Sequence, residues 1–242
     1  MCTVTFIPTE SGAIITSNRD EKTLRERAIP PKEYQIADTK IRFPKDPKGG
    51  GSWIATTASK IVVLLNGATE NHIKKANYRK SRGVILTELA VAENTLFYWD
   101  HLDLSDIEPF TIVCFEHSKL VQLQWDASQK HYLEKESSQP HIWSSATLYS
   151  PEIRKIRRDW FAEFLAKKEQ ITPQDILHFH LFTEKENKDF GLQINRNEEL
   201  KTISVTQCTY KNNKIDMNYF DLLDGSYEIA INKLVCLQTP MK

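Results

Sequence analysis

The residues best suited to chemistry in this sequence stand close to its start. Cys2 follows the initiator methionine, and the polar run Asn18–Glu21 follows a short apolar stretch. Removal of the methionine would leave Cys2 with both a thiol and a free α-amine. An α-amino group has a pKa of about 7.7 to 8.0, so near neutral pH it can accept the proton of the thiol. This pairing predicts a cysteine that activates itself as a nucleophile and attacks a carbonyl carbon.

The polar run contains groups that such a nucleophile needs around it. Arg19 can hold a thiolate or a substrate carboxylate, and Asp20 can orient the α-ammonium group. An amide or a backbone N–H beside the attacked carbonyl would stabilise the oxyanion by about 3 to 4 kcal/mol. Less specific explanations stay open, because a cysteine at position two can be the incidental start of a strand and a polar run is usually a solvated turn. A retained Met1 would also acylate the amine and remove the base.

The pattern around these residues predicts a β-hairpin. An apolar strand "CTVTFIP" is followed by the turn "TESG" and a second strand "AIITSN". The return of the second strand would bring Cys2 close to Asn18, Arg19 and Asp20. This proximity favours the catalytic explanation over the solvated turn.

The remaining pattern predicts strands, then helices, then strands again. We expect a polar, proline-containing loop through residues 28–35 and 43–51, and helices that begin after Ser150 and Thr172. Such an order is typical of an α+β domain in which helices cover antiparallel sheets, and we expect one domain over residues 1–242. Other predicted strands are "SWIATTA", "KIVVLLNGA", "FTIVCFEH", "LVQLQWD", "HYLEKES", "KTISVTQCTY", "IDMNYF" and "YEIAI", and the other predicted helix is "SRGVILTELAVAE" with a continuation in "NTLFYWDHL".

Composition excludes several classes of partner. Thirty-two Lys and Arg residues balance thirty-two Asp and Glu residues, so the 242-residue chain has no overall positive field for nucleic acid. No apolar run approaches the roughly 20 residues that span a bilayer. The start lacks a charged segment followed by an apolar one, which argues against a signal peptide and leads us to expect a cytoplasmic location.

Neither a metal nor a cofactor is expected. Cys114, Cys208 and Cys236 lie in strand-like runs without a C-x-x-C pair, where a cysteine is a small buried hydrophobe. His178 and His180 are two residues apart on a predicted helix and therefore point to different faces. The glycines of "KGGGSW" lack the GK[ST] of a phosphate-binding loop, so we expect them to form a tight turn or to approach a ligand.

Five motifs together resemble a known family. They are "MC" at the start, "NRDE" at 18–21, "GGSW" at 50–53, "LLNG" at 64–67 and "SRG" at 81–83. The chain thereby resembles the NRDE family, also called the transport and Golgi organisation protein two family. The resemblance covers most of the chain, because "WSSATLYSPEIRK" and the strands from "KTISVT" onward follow in the expected order.

The resemblance implies a fold and a set of catalytic residues. It implies an N-terminal nucleophile (Ntn) hydrolase fold, an α-β-β-α sandwich of two antiparallel sheets flanked by helices. More distantly, the chain is similar to penicillin V acylase and bile salt hydrolase. On that similarity Cys2 matches the nucleophile, Arg19 and Asp20 match the arginine and aspartate types in a different order, and Asn66 matches the oxyanion asparagine. An asparagine at a strand end is otherwise often a turn former.

Four further residues are expected to bind the substrate. Asn18 belongs to the polar run, and Arg82 lies in "SRG". Ser145 stands where the family usually has an asparagine, and its shorter side chain offers no NH₂ donor. Trp53 is expected in the pocket wall or, with better reason, in the core.

Three functions compete on these grounds. The first is a cysteine hydrolase of a linear, non-peptide amide or acyl compound, with a small molecule as partner. The second, which the resemblance permits, is a non-catalytic protein that handles haem or acyl-CoA and lipid. The third is a structural or interaction protein that inherited the fold, because fold does not imply function. A homodimer is one open possibility for the oligomeric state.

Overall fold

The structure, a computed structural model, describes residues 3–224 of the chain. Within this range it contains thirteen strands and four helices. The strands are β1 (Thr3–Thr9), β2 (Gly12–Lys22), β3 (Ile29–Ile36), β4 (Thr39–Lys45), β5 (Ile54–Thr56), β6 (Lys60–Asn66), β7 (Phe110–Glu116), β8 (Lys119–Trp125), β9 (Lys130–Lys135), β10 (His141–Ser144), β11 (Asn195–Arg196), β12 (Leu200–Lys211) and β13 (Lys214–Asp221). The helices are α1 (Arg82–Val91), α2 (Thr95–His101), α3 (Pro151–Ala166) and α4 (Pro173–Phe182).

The strands form two antiparallel sheets. Sheet A has the order β10-β1-β2-β12-β11, with β13 also paired to β12, and sheet B is a meander from β3 to β9 in chain order. The predicted hairpin is present as β1 and β2, in which Thr3 pairs with Asn18. Strand β12 pairs with the other edge of β2, so the polar run of β2 lies between two neighbouring strands.

The packing of side chains defines four layers. The inner faces of the sheets meet directly, as shown by the rings of Phe6 in β1 and Phe115 in β7, whose centroids are 5.3 Å apart. The outer face of sheet A packs against α3 and α4 through a cluster that includes Ile14 and Phe161. Trp99 of α2 packs edge-on against a residue of β7 on the outer face of sheet B. The α+β class and the predicted α-β-β-α order are therefore confirmed.

The polar run is part of a strand and does not form a solvated turn. Strand β2 continues to Lys22, and Asn18, Arg19 and Asp20 are all buried within it. Burial is tolerated because pairing on both edges satisfies the backbone and because nearby side chains and carbonyls pair with the polar side-chain atoms, with the exception of Nη1 of Arg19.

The predicted proline-containing loop is largely a second hairpin. Strands β3 and β4 occupy residues where the sequence suggested irregular structure, and Pro30 and Pro31 lie in β3. Because β3 is the edge strand of sheet B, a missing N–H can face outward without breaking a ladder. Strands β10 and β11 were also missed, since they are only four and two residues long. The predicted strand "YEIAI" lies outside the described residues.

The helices begin where the sequence predicts. Ser150 caps α3 by accepting a hydrogen bond from the backbone N–H of Ile153, with a proline at the first helical position. The spacing of Ile153, Ile156, Trp160 and Phe164, with Phe161 and Leu165, predicts one apolar face for α3, and this face needs one correction. Ile156 is 36% exposed, whereas Arg157 is completely buried. Among residues 3–224, no helix has the length and apolar character that crossing a membrane requires.

Candidate functional site

A cavity of about 610 Å³ opens where the start of α1 meets the ends of β2 and β6. Its walls include Arg19 of β2, Trp53, Asn66 of β6 and Arg82 of α1. Four residues that the sequence singled out, from four separate segments, therefore share one cavity. We call it the charged cavity, because lysines, arginines and three acids line it together with these residues.

Arg19 is buried in the wall of the charged cavity. Its Nη2 lies 2.9 Å from Oδ2 of Asp46 and 3.7 Å from a carboxylate oxygen of Glu21. Its guanidinium carbon lies 4.1 Å from the centroid of the Trp53 ring, a cation–π contact. Burial lowers the pKa of Arg19, although Glu21 and Asp46 oppose this shift. Its Nη1 has no hydrogen-bond partner among residues 3–224, which leaves a buried donor available to a ligand.

Asp46 organises this wall, and the sequence did not point to it. Its Oδ2 accepts from Nη2 of Arg25 at 2.8 Å as well as from Arg19, and its Oδ1 accepts from the backbone N–H of Gly49 at 2.9 Å. Burial would raise the pKa of Asp46, but Gly49 and the two arginines hold it below its ordinary value. An aspartate in "KDPKGGG" resembles any solvated loop residue, so only the folded partners reveal its role.

The glycine run approaches helix α1. A Cβ on Gly51 would lie 2.1 Å from the carbonyl carbon of Gly83, so the two backbones pack where a side chain has no room. Gly50 adopts a positive φ of +72°, which makes the predicted tight turn. Trp53, two residues after Gly51, is 3% exposed and belongs to the hydrophobic core, and it also lines the charged cavity.

Arg82 and Asn66 complete the opposite wall. Arg82 forms an ion pair of 3.0 Å with Glu108 and donates from Nη1 to the carbonyl of Pro109 at 3.1 Å. Burial lowers the pKa of Arg82, and Glu108 opposes this shift. The backbone carbonyl of Asn66 accepts a hydrogen bond of 2.8 Å from Oγ of Ser145. Ser145 thus fixes the backbone that presents the Asn66 amide to the cavity.

Asn18 and Asp20 face away from Arg19, because successive side chains of a strand alternate. Oδ1 of Asn18 lies 2.6 Å from Nδ1 of His180, and its Nδ2 donates to the carbonyl of Leu192 at 2.7 Å. Asp20 accepts hydrogen bonds from Tyr149 Oη at 2.7 Å and from a threonine hydroxyl of β12. The structure therefore places Arg19 on one face of β2 and Asn18 and Asp20 on the other.

His180 is a buried neutral side chain that joins α4 to sheet A. Its Nε2 lies 2.7 Å from the hydroxyl of Thr5, and burial, assisted by Arg157, lowers the pKa of His180 to about 3. By contrast, His178 is exposed, as expected from their spacing. Within residues 3–224 no group of three or more His, Cys, Asp or Glu side chains is arranged to hold a metal ion.

The stability of the protein is expected to fall in acid because of His180. The folded pKa of about 3 lies below the unfolded value of about 6.5, so the unfolded state binds a proton first and is favoured as the pH falls below 6.5. The unfolding free energy of the wild type, relative to His180→Gln, should decrease by about 1.4 kcal/mol for each pH unit between about 6 and 4. Urea denaturation of both proteins over this range measures the difference. Parallel pH profiles would contradict the assignment.

Arg157 is the functional-site neighbour that sequence reasoning missed. Its guanidinium lies 3.5 Å from the centroid of Tyr149, and its Nη1 donates to Oγ1 of Thr3 at 2.6 Å. A signal existed, because Arg157 stands in helical register with the apolar residues Ile153 and Trp160. A charged residue at an apolar position of a helix either interrupts the buried face or is itself buried with hydrogen-bond partners. Arg157 is the second case.

Cys2 lies outside the described residues. The first described residue, Thr3, pairs with Asn18 in β2 and with Ser144 in β10. Arg19 and Asp20 follow Asn18 in β2, directly beyond the point where β1 begins. The start of β1 is therefore beside the wall of the charged cavity.

No curated protein matches the sequence. The solved structures with similar folds include a variant of conjugated bile acid hydrolase from Clostridium perfringens (9% identity, TM-score 0.47, 91% of this chain and 92% of that chain). They also include a mutant of Anbu from Hyphomicrobium sp. strain MC1 (8% identity, TM-score 0.46, 98% of this chain and 96% of that chain). The family model described as Transport and Golgi organisation 2 matches residues 1–225, and the chain belongs to this family.

Proposed function

We propose that this chain is an N-terminal-nucleophile cysteine hydrolase that cleaves a linear, non-peptide amide or a related acyl compound. The observation that carries the proposal is the start of β1 at Thr3, opposite Asn18 and beside the charged cavity. Cys2 directly precedes Thr3 in the chain, and we take its thiol as the nucleophile of this site. The proposal requires the thiol to face the cavity together with Arg19.

The first half of the proposed reaction forms a thioester. After loss of Met1, the α-amine of Cys2 takes the thiol proton, and the sulfur attacks the carbonyl carbon of the amide. The C=O π electrons move to oxygen, and this oxyanion accepts hydrogen bonds from the Asn66 amide and Nη1 of Arg19. Collapse breaks the C–N bond, and the leaving amine takes the proton from the α-ammonium group.

The second half releases the acid. The α-amine accepts a proton from water, the resulting hydroxide attacks the thioester carbonyl, and the C–S bond breaks with return of the proton to the thiolate. The net reaction consumes one amide and one water and produces one carboxylic acid and one amine. The Asn66 amide and Arg19 serve the second oxyanion in the same way.

The other predicted site residues act by position. Asp20 is proposed to orient the α-ammonium group, and its carboxylate is held by Tyr149. Ser145 donates a hydrogen bond to the backbone carbonyl of Asn66 and so holds that residue in position. Asn18 links β2 to helix α4 through its hydrogen bond with His180. Trp53 and Arg82 line the cavity and are proposed to contact the substrate.

A cytoplasmic location is part of the proposal. Cys114 and Cys208 are free and buried, which suits a reducing compartment.

Selective labelling of Cys2 tests the proposal. The untagged protein, made in a native-like host, is treated with a thiol-reactive β-lactone, and its intact mass and labelled peptide are determined. We expect Met1 to be absent and the label to sit on Cys2. Cys114 and Cys208 are internal controls, because burial raises the pKa of Cys114 to about 12 and also raises the pKa of Cys208. Both should remain unlabelled.

The opposite result has a defined meaning. A retained Met1 together with the absence of selective labelling at Cys2 would contradict the hydrolase. Titration with haem and with acyl-CoA would then test the non-catalytic alternative on the same scaffold. A Cys2→Ala variant that labels as fast as the wild type would show that the probe reads another thiol.

A further inference from the structure

A second, smaller cavity lies beyond the contact between Ser145 and Asn66. Its volume is about 260 Å³, and it is lined by Ser145, by residues of β7 and β8, and by two arginines of α3. Asn66 lines the charged cavity, whereas Ser145 lines this one, and the hydrogen bond from Ser145 Oγ to the Asn66 carbonyl joins their walls. We call the smaller space the α3 cavity.

The described lining of the α3 cavity carries two positive charges and no acidic side chain. Arg154 and Arg158 are four residues apart on α3, so their side chains project on the same side of the helix. None of the described residues that line the cavity is an aspartate or a glutamate. The nearby acids of α3 lie outside this lining. Glu152 is exposed, and its pKa is lowered first by a hydrogen bond with Ser150 and to a smaller extent by the charge of Arg154. Asp159 pairs with Lys155 at 2.8 Å.

One donor in this cavity is buried and unsatisfied. Nε of Arg154 has no hydrogen-bond partner within the described part of the chain. An unsatisfied buried donor is destabilising, and more so when the group is charged. A ligand oxygen at this position would remove that cost. The orphaned Nε is therefore an observation that points to a bound acceptor and not merely to a basic surface.

The opposite wall offers oriented neutral groups. Nε1 of Trp143 donates to Oε1 of Gln122 at 2.8 Å, which fixes the amide orientation and leaves Nε2 of Gln122 as a donor. Nε2 of Gln124 donates to Thr111 Oγ1 at 3.0 Å, and that hydroxyl donates to the carbonyl of Gly67. These polar groups of sheet B, with Trp143 of sheet A, thus form a connected network that lines the same cavity as the two arginines of α3.

We propose that the α3 cavity is a binding site for the carboxylate end of a small organic anion. Arg154 and Arg158 supply the charge, and Nε2 of Gln122 supplies a neutral donor. The volume is below the roughly 300 to 1,000 Å³ of pockets that enclose a whole ligand, so the cavity suits one end of a molecule. The binding itself does not depend on hydrolysis. In the proposed hydrolysis the anion is the acidic end of the substrate, and only this extension rests on the proposed function.

Binding of simple anions tests this site directly. Glutarate and inorganic phosphate are titrated separately into the full chain at low ionic strength, and the heat of binding is measured by calorimetry. The glutarate titration tests for a carboxylate site, and the phosphate titration tests for a phosphate site. The double variant Arg154→Gln, Arg158→Gln should weaken glutarate binding at least about tenfold, which corresponds to about 1.4 kcal/mol. The matched control Lys155→Gln, Lys167→Gln removes the same charge from α3 and its C-cap, outside the cavity lining, and should bind as the wild type does.

Further variants separate binding from folding and from catalysis. Gln122→Glu keeps the acceptor for Trp143 but adds a negative charge, so it should weaken glutarate binding while both arginines remain. Cys2→Ala should bind glutarate with wild-type affinity, since the proposed contacts to the anion come from Arg154, Arg158 and Gln122. Equal weakening in the lysine control, or tight phosphate binding with no glutarate binding, would overturn the assignment to a carboxylate. Loss of labelling at Cys2 with intact glutarate binding would overturn the hydrolase alone.

Discussion

Replacing Arg157 by methionine is expected to lower the free energy of unfolding by about 3 to 5 kcal/mol. The side chain is completely buried and donates to Thr3 Oγ1 at 2.6 Å, to the carbonyl of Phe190 at 3.1 Å and to the carbonyl of Gly191 at 2.5 Å. Methionine fills similar space but donates to none of these acceptors. Each is then left without its buried donor, and the cation–π contact with Tyr149 is lost.

The neighbouring Arg158 provides the control for this measurement. It is exposed, so Arg158→Met should change the free energy of unfolding by less than about 0.5 kcal/mol. Urea denaturation followed by fluorescence compares the two variants with the wild type. A loss below about 1 kcal/mol in Arg157→Met would mean that the three acceptors find water or other donors. Because Arg157 holds Thr3, slower labelling of Cys2 should accompany the lost stability.

Replacing Asn66 by alanine is expected to lower kcat about 10² to 10³-fold, with a much smaller change in KM. In the proposed mechanism its amide donates to an oxyanion that exists only in the transition state, so the ground state loses little binding. The fold should survive, because Ser145 contacts the backbone carbonyl of Asn66 and not its side chain. The measurement is steady-state kinetics with an amide hydrolysed by the wild type.

A second asparagine of the same cavity makes a matched comparison. Asn77 lines the charged cavity but is exposed in the segment before α1, so Asn77→Ala removes the same group away from the proposed oxyanion. Its kcat should stay within about threefold of the wild type, a change of under about 0.7 kcal/mol in barrier. A similar decrease of kcat in both variants would mean that the loss of any amide from the cavity lowers the rate, and that Asn66 has no specific role. A raised KM with unchanged kcat in Asn66→Ala would contradict the oxyanion role.

Much of the fold followed from local patterns. Alternating apolar residues predicted the β1 and β2 hairpin, and the Ser-Pro and Thr-Pro pairs located the starts of α3 and α4. The hairpin of β3 and β4 was missed because Pro30 and Pro31 usually interrupt a strand. Their tolerance depends on β3 being an edge strand, which is a property of the sheet and not of the segment. The single domain over residues 1–242 stays a prediction.

For the candidate site, too, the sequence identified the residues, whereas the fold decided how they are arranged. Residue types and family motifs were sufficient to select Arg19, Trp53, Asn66 and Arg82, since guanidinium and amide groups are suited to anions wherever they lie. Their meeting in one cavity depended on pairing between distant segments. The role of Asp46 also depended on this pairing, because its carboxylate accepts hydrogen bonds from both Arg19 and Arg25.

Local sequence was enough to establish the α+β class, the hairpin and the chemical character of the polar run, because these depend on residue type and on periods of a few residues. Only the tertiary structure decided whether the polar run is buried and which face of the sheet each of its side chains occupies. Pairing of β2 with both β1 and β12 buried it as a strand, and strand alternation then sent Arg19 to the charged cavity and Asp20 toward Tyr149. Burial and partners come from residues far away in the chain, and no local pattern contains them.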